Sequence, residues 1–181
     1  MNDLHTFEPR AGDFELVRMG GNTGRLIRLG QFLNGDGFLD YEHAKLYLGD
    51  GKVIEALPGG AQVDDYVYDA SSLWSTGIIK LTDIERKRII LAGYAGIGIP
   101  YSEADYFALA AHRLHLELIT PGLREYVRTS RHMICSQLVD YFYQKAGIQL
   151  FDDGRWNGYV TPADLANLLF RLLNSQEKHV V

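Results

Sequence analysis

The chain has 181 residues, of which 46% are hydrophobic and 23% charged, with a formal net charge of −5 and a pI near 5.6. This length predicts one folded domain over residues 1–181, and the single cysteine excludes an internal disulfide. The acidic balance argues against nucleic acid as a partner, and no apolar run approaches the ~20 residues that span a bilayer. The N-terminus lacks the pattern of a secretory signal, so a cytoplasmic protein is expected.

Strands are predicted mainly in the first half of the chain. The clearest signal is a hairpin with its turn at Gly49-Asp50-Gly51. The predicted strands are 14–17, 41–48, 52–57, 62–68 and 77–81.

Helices are predicted mainly in the second half. Thr82 with Glu85 forms a capping-box pattern, Gly147 is a good C-terminal cap, and Pro162 occupies the favoured first helical position. The predicted helices are 22–33, 82–96, 102–118, 131–146 and 161–173. Strands early and helices late favour an α+β fold over alternating α/β.

Cys135 is the only cysteine, and it is predicted in the first turn of a helix. Partial positive charge and free backbone N–H groups at that end favour the thiolate, which is the nucleophilic form. The alternative is a small buried hydrophobe, because Val139, Phe142 and Ala146 share its side of the helix.

His43 is a candidate partner for this sulfur, and Glu55 on the next strand could orient its imidazole. A two-residue Asp50-Gly51 loop would place Glu55 on the opposite face of the hairpin from His43. A three-residue loop with Gly51 in a bulge sets Lys45 opposite Glu55 and makes His43 and Glu55 diagonal neighbours. We favour the three-residue loop, because it also gathers the apolar residues of both strands on one face.

Other polar residues are weaker candidates. His112 and His115, with Glu117 nearby, could bind a metal ion, but a solvated helix face is the better interpretation. His132 lies one turn before Cys135 without an evident orienting partner, and Ser136 fits a helix start better than a nucleophile. No metal ion or cofactor is therefore expected.

Three segments resemble one known superfamily. Residues 42–56 resemble the histidine hairpin of the NlpC-like papain-fold superfamily, and residues 134–139 resemble its cysteine helix. Gly98-Ile99-Pro100-Tyr101 resembles its Gly-x-Pro-Tyr motif. Because the histidine here precedes the cysteine, the order matches the circularly permuted branch that includes lecithin–retinol acyltransferase-like proteins.

The resemblance implies a papain-like α+β fold, a small antiparallel sheet or half-barrel packed on helices. It implies Cys135 as nucleophile, His43 as general base, Glu55 as the orienting group, and Tyr101 near the substrate or oxyanion. Many relatives carry a second histidine or another polar group where this chain has Glu55.

The implied activity is that of a cysteine-dependent amidase or peptidase acting on a small amide- or ester-bearing substrate, with cell-wall peptides the leading class. A phage-encoded lytic enzyme fits the lack of a signal sequence. The alternatives are an acyltransferase or thioesterase acting on lipids, and a non-catalytic papain-like binding module. The catalytic hypothesis requires the sulfur and the imidazole to meet at the floor of an open crevice.

Overall fold

The computed structural model describes residues 8–18, 40–57, 59–101, 133–154 and 160–177. These ranges contain five strands and three helices. The strands are β1 (Phe14–Val17), β2 (His43–Gly49), β3 (Lys52–Leu57), β4 (Gly60–Asp65) and β5 (Leu73–Trp74). The helices are α1 (Asp83–Ala95), α2 (Cys135–Lys145) and α3 (Pro162–Glu177).

The strands form one open antiparallel sheet in the order β4-β3-β2-β1-β5. The three helices follow the strands along the chain, so the predicted α+β class is confirmed. None of these helices is long and apolar enough to cross a bilayer.

The core contains side chains from alternate positions of the central strands, together with one side of α2. The fully buried members include Phe14, Leu46, Ile54, Leu138 and Phe142. Their period of two along the strands is what places a single apolar face toward the helices.

Two glycines let α1 approach the sheet and α2 closely. A Cβ at Gly93 would lie 2.8 Å from Leu48 Cδ2, and a Cβ at Gly96 would lie 2.4 Å from Phe142 Cε1. Any larger residue would therefore push α1 away from its neighbours.

The predicted starts of α1 and α3 agree with the observed caps. Thr82 and Glu85 form a reciprocal capping box on α1. Thr161 Oγ1 accepts a hydrogen bond from the backbone N–H of Asp164, and Asp164 Oδ2 accepts one from the backbone N–H of Thr161. The last helix continues to Glu177, four residues beyond its predicted end.

Some predicted boundaries were wrong. Residues 76–79 form turns instead of the strand expected at 77–81, because Gly77 has a φ of +74° and the N–H groups of Ile78 and Ile79 both donate to the Ser75 carbonyl. The edge strand is Leu73–Trp74 instead. The predicted helices 22–33 and 102–118 lie outside the described residues.

A buried ion pair joins the start of β1 to α1. Asp13 is fully buried and accepts hydrogen bonds from Arg86 Nη1 at 2.7 Å and from Thr76 Oγ1 at 2.6 Å. The Tyr143 hydroxyl of α2 donates to the carbonyl oxygen of Gly12 at 2.8 Å. This cluster therefore links the residues just before β1 with α1 and α2.

Candidate active site

Cys135 is the first residue of α2. Its predecessor, Ile134, is extended, so the helix begins at the cysteine and not at Arg131 as expected. The backbone N–H groups of Ser136 and Ala44 both donate hydrogen bonds to the sulfur. The side-chain oxygen of Gln137 accepts from the Ile134 N–H at 2.9 Å, which fixes the start of the helix. The sulfur thus lies at the positive end of the helix dipole.

His43 opens β2 and lies between the sulfur and a carboxylate. Its side chain hydrogen-bonds Cys135, and its Nε2 lies 2.5 Å from Glu55 Oε2. Because Nε2 faces the carboxylate, Nδ1 is the ring nitrogen left for the sulfur. The structure thus brings the His43 imidazole to the sulfur of Cys135, and the catalytic roles of the two residues stay a prediction.

The hairpin register agrees with the favoured prediction. Lys45 lies opposite Glu55, which makes His43 and Glu55 diagonal neighbours on one face. The loop differs, however, since Gly49 lies opposite Lys52 and the register shifts between Tyr47 and Gly49.

The turn itself has only two central residues. Asp50 and Gly51 have φ angles of +51° and +68°, the signs of a type I′ turn. Leu48 is the extra residue of a bulge in β2, and this bulge restores the register that the three-residue loop was expected to give.

The ionised forms of Cys135, His43 and Glu55 stabilise one another. Burial raises the pKa of the Cys135 thiol, but the charge and hydrogen bond of His43 and the two backbone N–H groups lower it below its ordinary value. Burial lowers the pKa of His43, yet attraction to Cys135 and contact with Glu55 raise it to about 9. Burial raises the pKa of Glu55, and its contacts with His43 and Lys45 lower it further than burial raises it. The arrangement therefore favours a thiolate, an imidazolium and a carboxylate.

The site is more enclosed than expected. Cys135 is 3% exposed and His43 is 6% exposed, so the expectation that the sulfur lies at the floor of an open crevice is wrong. Its position in the apolar core, where α2 packs on β2, accounts for the burial. A cavity of about 390 Å³ lies elsewhere, between α1 and the far end of α2, lined by residues that include Arg88, Leu91 and Tyr141.

Tyr101 ends a segment that connects the sheet edge to the start of α2. The Ala61 N–H of β4 donates to the Ile99 carbonyl at 2.8 Å, and the Met133 N–H donates to the Pro100 carbonyl at 2.9 Å. Tyr101 is half-buried and packs against the core. Pro100, the residue before Tyr101, is therefore hydrogen-bonded to Met133, two residues before Cys135. The expected role of Tyr101 at the substrate stays a prediction.

Glu15 and Lys45 lie near the site, and neither was a candidate site residue in the sequence. Glu15 lies opposite Lys45 in the β1–β2 register, and Lys45 Nζ lies 3.4 Å from Glu55 Oε1. The hairpin register alone predicts the Lys45–Glu55 pair. The position of Glu15 depends on a pairing between distant strands, for which the sequence carries no local signal.

The remaining candidates contribute less. Ser136 Oγ donates to the Val160 carbonyl at 2.8 Å, which agrees with a structural role at the helix start. His112, His115, Glu117 and His132 lie outside the described residues. Among those that the structure describes, no group of three or more histidine, cysteine, aspartate or glutamate side chains could hold a metal ion.

Comparison with known proteins gives no family model and no curated protein that matches this chain.

Proposed function

We propose that this protein is a cysteine-dependent hydrolase of the amidase or peptidase type, with Cys135 as nucleophile, His43 as acid–base group and Glu55 as the orienting carboxylate. The observation that carries the proposal is the double contact of one imidazole, with the sulfur of Cys135 and with Glu55 Oε2. A nucleophile, its base and a third group that orients the base are the recurring parts of such sites. The site would take a small amide- or ester-bearing substrate, of which cell-wall peptides are the leading class.

The chemistry follows from this arrangement. The Cys135 thiolate attacks the carbonyl carbon, and the electron pair of the C=O bond moves to the oxygen. The tetrahedral intermediate collapses, the C–N bond breaks, and the His43 imidazolium gives its proton to the leaving amine. Water then loses a proton to His43 and attacks the thioester, which releases the acid and restores the thiolate.

The first turn of α2 offers a donor for the oxyanion. The N–H of Cys135 has no acceptor within the helix, because the first four N–H groups of a helix have none. One preorganised donor of this kind contributes about 3 kcal/mol to the stability of the transition state. Tyr101 is our second candidate for this region.

We also propose that the fold is papain-like and circularly permuted. The histidine strand precedes the cysteine helix along the chain, and that helix packs on the sheet with its nucleophile at the N-terminal end. These features support the proposal together with the sequence resemblance.

One observation favours a second candidate, a non-catalytic papain-like binding module. Cys135 is only 3% exposed, which leaves little room for a substrate carbonyl at the sulfur. In that case Cys135 would react slowly with alkylating reagents, whether the reagent is charged or neutral.

Thiol alkylation separates the two candidates. A catalytic Cys135 reacts with iodoacetamide at pH 7 faster than a free cysteine, and His43→Ala lowers that rate. Labelling no faster than that of a free cysteine in the wild-type protein would favour the binding module. Because the chain has one cysteine, Cys135→Ser supplies the blank for every measurement.

The type of acyl acceptor is tested by product analysis. A labelled amide incubated with the protein gives the free acid if water is the acceptor. Excess formation of an ester or of a new amide, when an alcohol or amine is added, would favour the acyltransferase over the hydrolase.

A further inference from the structure

Three ionisable residues form a row across the sheet, on the face that carries His43. Glu15 of β1 lies directly opposite Lys45 of β2, and Lys45 lies directly opposite Glu55 of β3. Directly opposed side chains on one face of a sheet are close enough to interact. Both carboxylates are buried, since Glu15 is 1% exposed and Glu55 is 7% exposed.

The two oxygens of Glu55 have different partners. Oε2 lies 2.5 Å from His43 Nε2, and Oε1 lies 3.4 Å from Lys45 Nζ. Two contacts in different directions restrict the rotation of the carboxylate plane. Within the described residues, Glu15 Oε1 has no hydrogen-bond partner, and no ion pair joins Glu15 to Lys45.

We infer that Lys45 is a positioning residue for the proposed catalytic group: its ammonium pairs with Glu55 Oε1 and holds Glu55 as the anion that faces His43. The inference rests on the proposed function, in which the Glu55 carboxylate orients His43. Lys45 keeps that carboxylate ionised. Lys45 acts through Glu55 and not on the substrate.

The reason is the attraction between the buried Glu55 carboxylate and the cations in contact with it. An opposite charge at this distance favours the ionised form, so loss of the Lys45 ammonium removes part of that support. Burial raises the pKa of Glu15, Ser72 and Lys45 lower it, and the charges of Asp69 and Glu55 raise it. The net direction is upward for Glu15 and downward for Glu55, so Glu15 takes up a proton before Glu55 does.

The ionisation of Glu55 also depends on the other groups that surround it. His43 and Lys45 face it from β2, and Cys135 reaches the same imidazole from α2. The residue opposite Glu55 on β4 is Gln62, which carries no charge. Within the described residues, the His43 imidazolium and the Lys45 ammonium are therefore the cations in contact with Glu55, and removal of Lys45 leaves His43 as the remaining one.

The test is a titration of the Glu55 carboxyl by ¹³C NMR, in the wild type and in four variants. Lys45→Met is expected to raise the Glu55 pKa by about one unit, and Lys45→Arg is expected to keep it near the wild-type value. Adding Glu15→Gln to Lys45→Met is expected to leave the rise in place, because Glu15 has the higher pKa and is already neutral when Glu55 titrates. Lys52→Met, which removes an exposed lysine of β3, is the matched control and should leave Glu55 unchanged.

The alkylation rate of Cys135 against pH gives the second reading. Lys45→Met is expected to shift the acid limb of this profile to higher pH, since Glu55 takes up its proton sooner and His43 loses its anionic partner. If Lys45→Met folds poorly, Lys45→Gln removes the same charge from a side chain that is 22% exposed.

The two proposals fail in different ways. A Glu55 pKa that Lys45→Met leaves unchanged, or that Lys45→Arg raises as much as Lys45→Met does, overturns the role of Lys45. A wild-type thiol no more reactive than free cysteine contradicts the hydrolase instead, and the NMR titration still decides whether Lys45 controls Glu55.

Discussion

His43 and Glu55 make a 2.5 Å contact although they are diagonal and not opposite neighbours in the hairpin. The residue opposite Glu55 is Lys45, and the carboxylate reaches past it toward the imidazole with one oxygen while the other stays near the ammonium. A glutamate side chain is long enough for the ~7–8 Å diagonal separation between Cα atoms, and an aspartate would not reach both groups. The hairpin register therefore decides whether the imidazole has an anionic partner.

The ionisation of Cys135 should depend on His43. Since the Cys135 pKa is lowered and the His43 pKa is raised to about 9, the thiolate–imidazolium pair exists from below the ordinary thiol pKa up to about pH 9. In His43→Ala the thiolate loses its main attraction, so its titration should move to higher pH. The ultraviolet absorbance of the thiolate against pH measures this shift, with Cys135→Ser as the blank.

At basic pH, hydrolytic turnover should fall although Cys135 remains a thiolate. Above about pH 9 the imidazolium loses its proton and cannot protonate the leaving amine, so turnover should fall while the thiolate persists. An alkylation rate that falls together with turnover above pH 9 would contradict this assignment of His43.

The charge of Glu55 should matter more than its size. Glu55→Gln keeps a polar side chain of the same length but removes the anion, so the His43 pKa should fall and turnover should drop on the order of 10²-fold. The pKa of His43 is measured by NMR of the imidazole. Asp65→Asn on the neighbouring strand is the matched control, because Asp65 pairs with the exposed Lys52 away from the site.

Local signals in the sequence predicted the elements that carry the site. The capping box at Thr82, the glycine-rich hairpin turn and the placement of Cys135 near a helix start each depend on a few adjacent residues. Long-range features had no such signal. The pairing of β1 with β2, which brings Glu15 to Lys45, and the burial of Cys135 both depend on packing between distant segments.

The hairpin also has one feature that its sequence predicted and one that it did not. The apolar pattern of its two strands predicted that Lys45 lies opposite Glu55, because only this register gathers the apolar residues on one face. The pattern did not distinguish a three-residue loop from a two-residue turn plus a bulge at Leu48, since both give that register.

The Asp13–Arg86 pair should be important for stability. Removing one partner leaves the other as an unpaired buried charge, so Asp13→Asn or Arg86→Met is expected to lower the free energy of unfolding by about 3–5 kcal/mol. Urea denaturation measures the change. The double variant should lose less than the sum of the two single losses, and simple additivity would show that the two residues do not act as a pair.

The close contact of α1 with α2 gives the last prediction. In Gly96→Ala the new Cβ would meet the Phe142 ring at 2.4 Å, so the helices must separate, at an expected cost of about 1–3 kcal/mol in unfolding free energy. Phe142→Leu removes ring atoms from this contact and costs stability by itself, because Phe142 is fully buried. With both changes the loss should be smaller than the sum of the single losses, as measured by urea denaturation. An additive result would show that the ring at position 142 does not limit the residue at position 96.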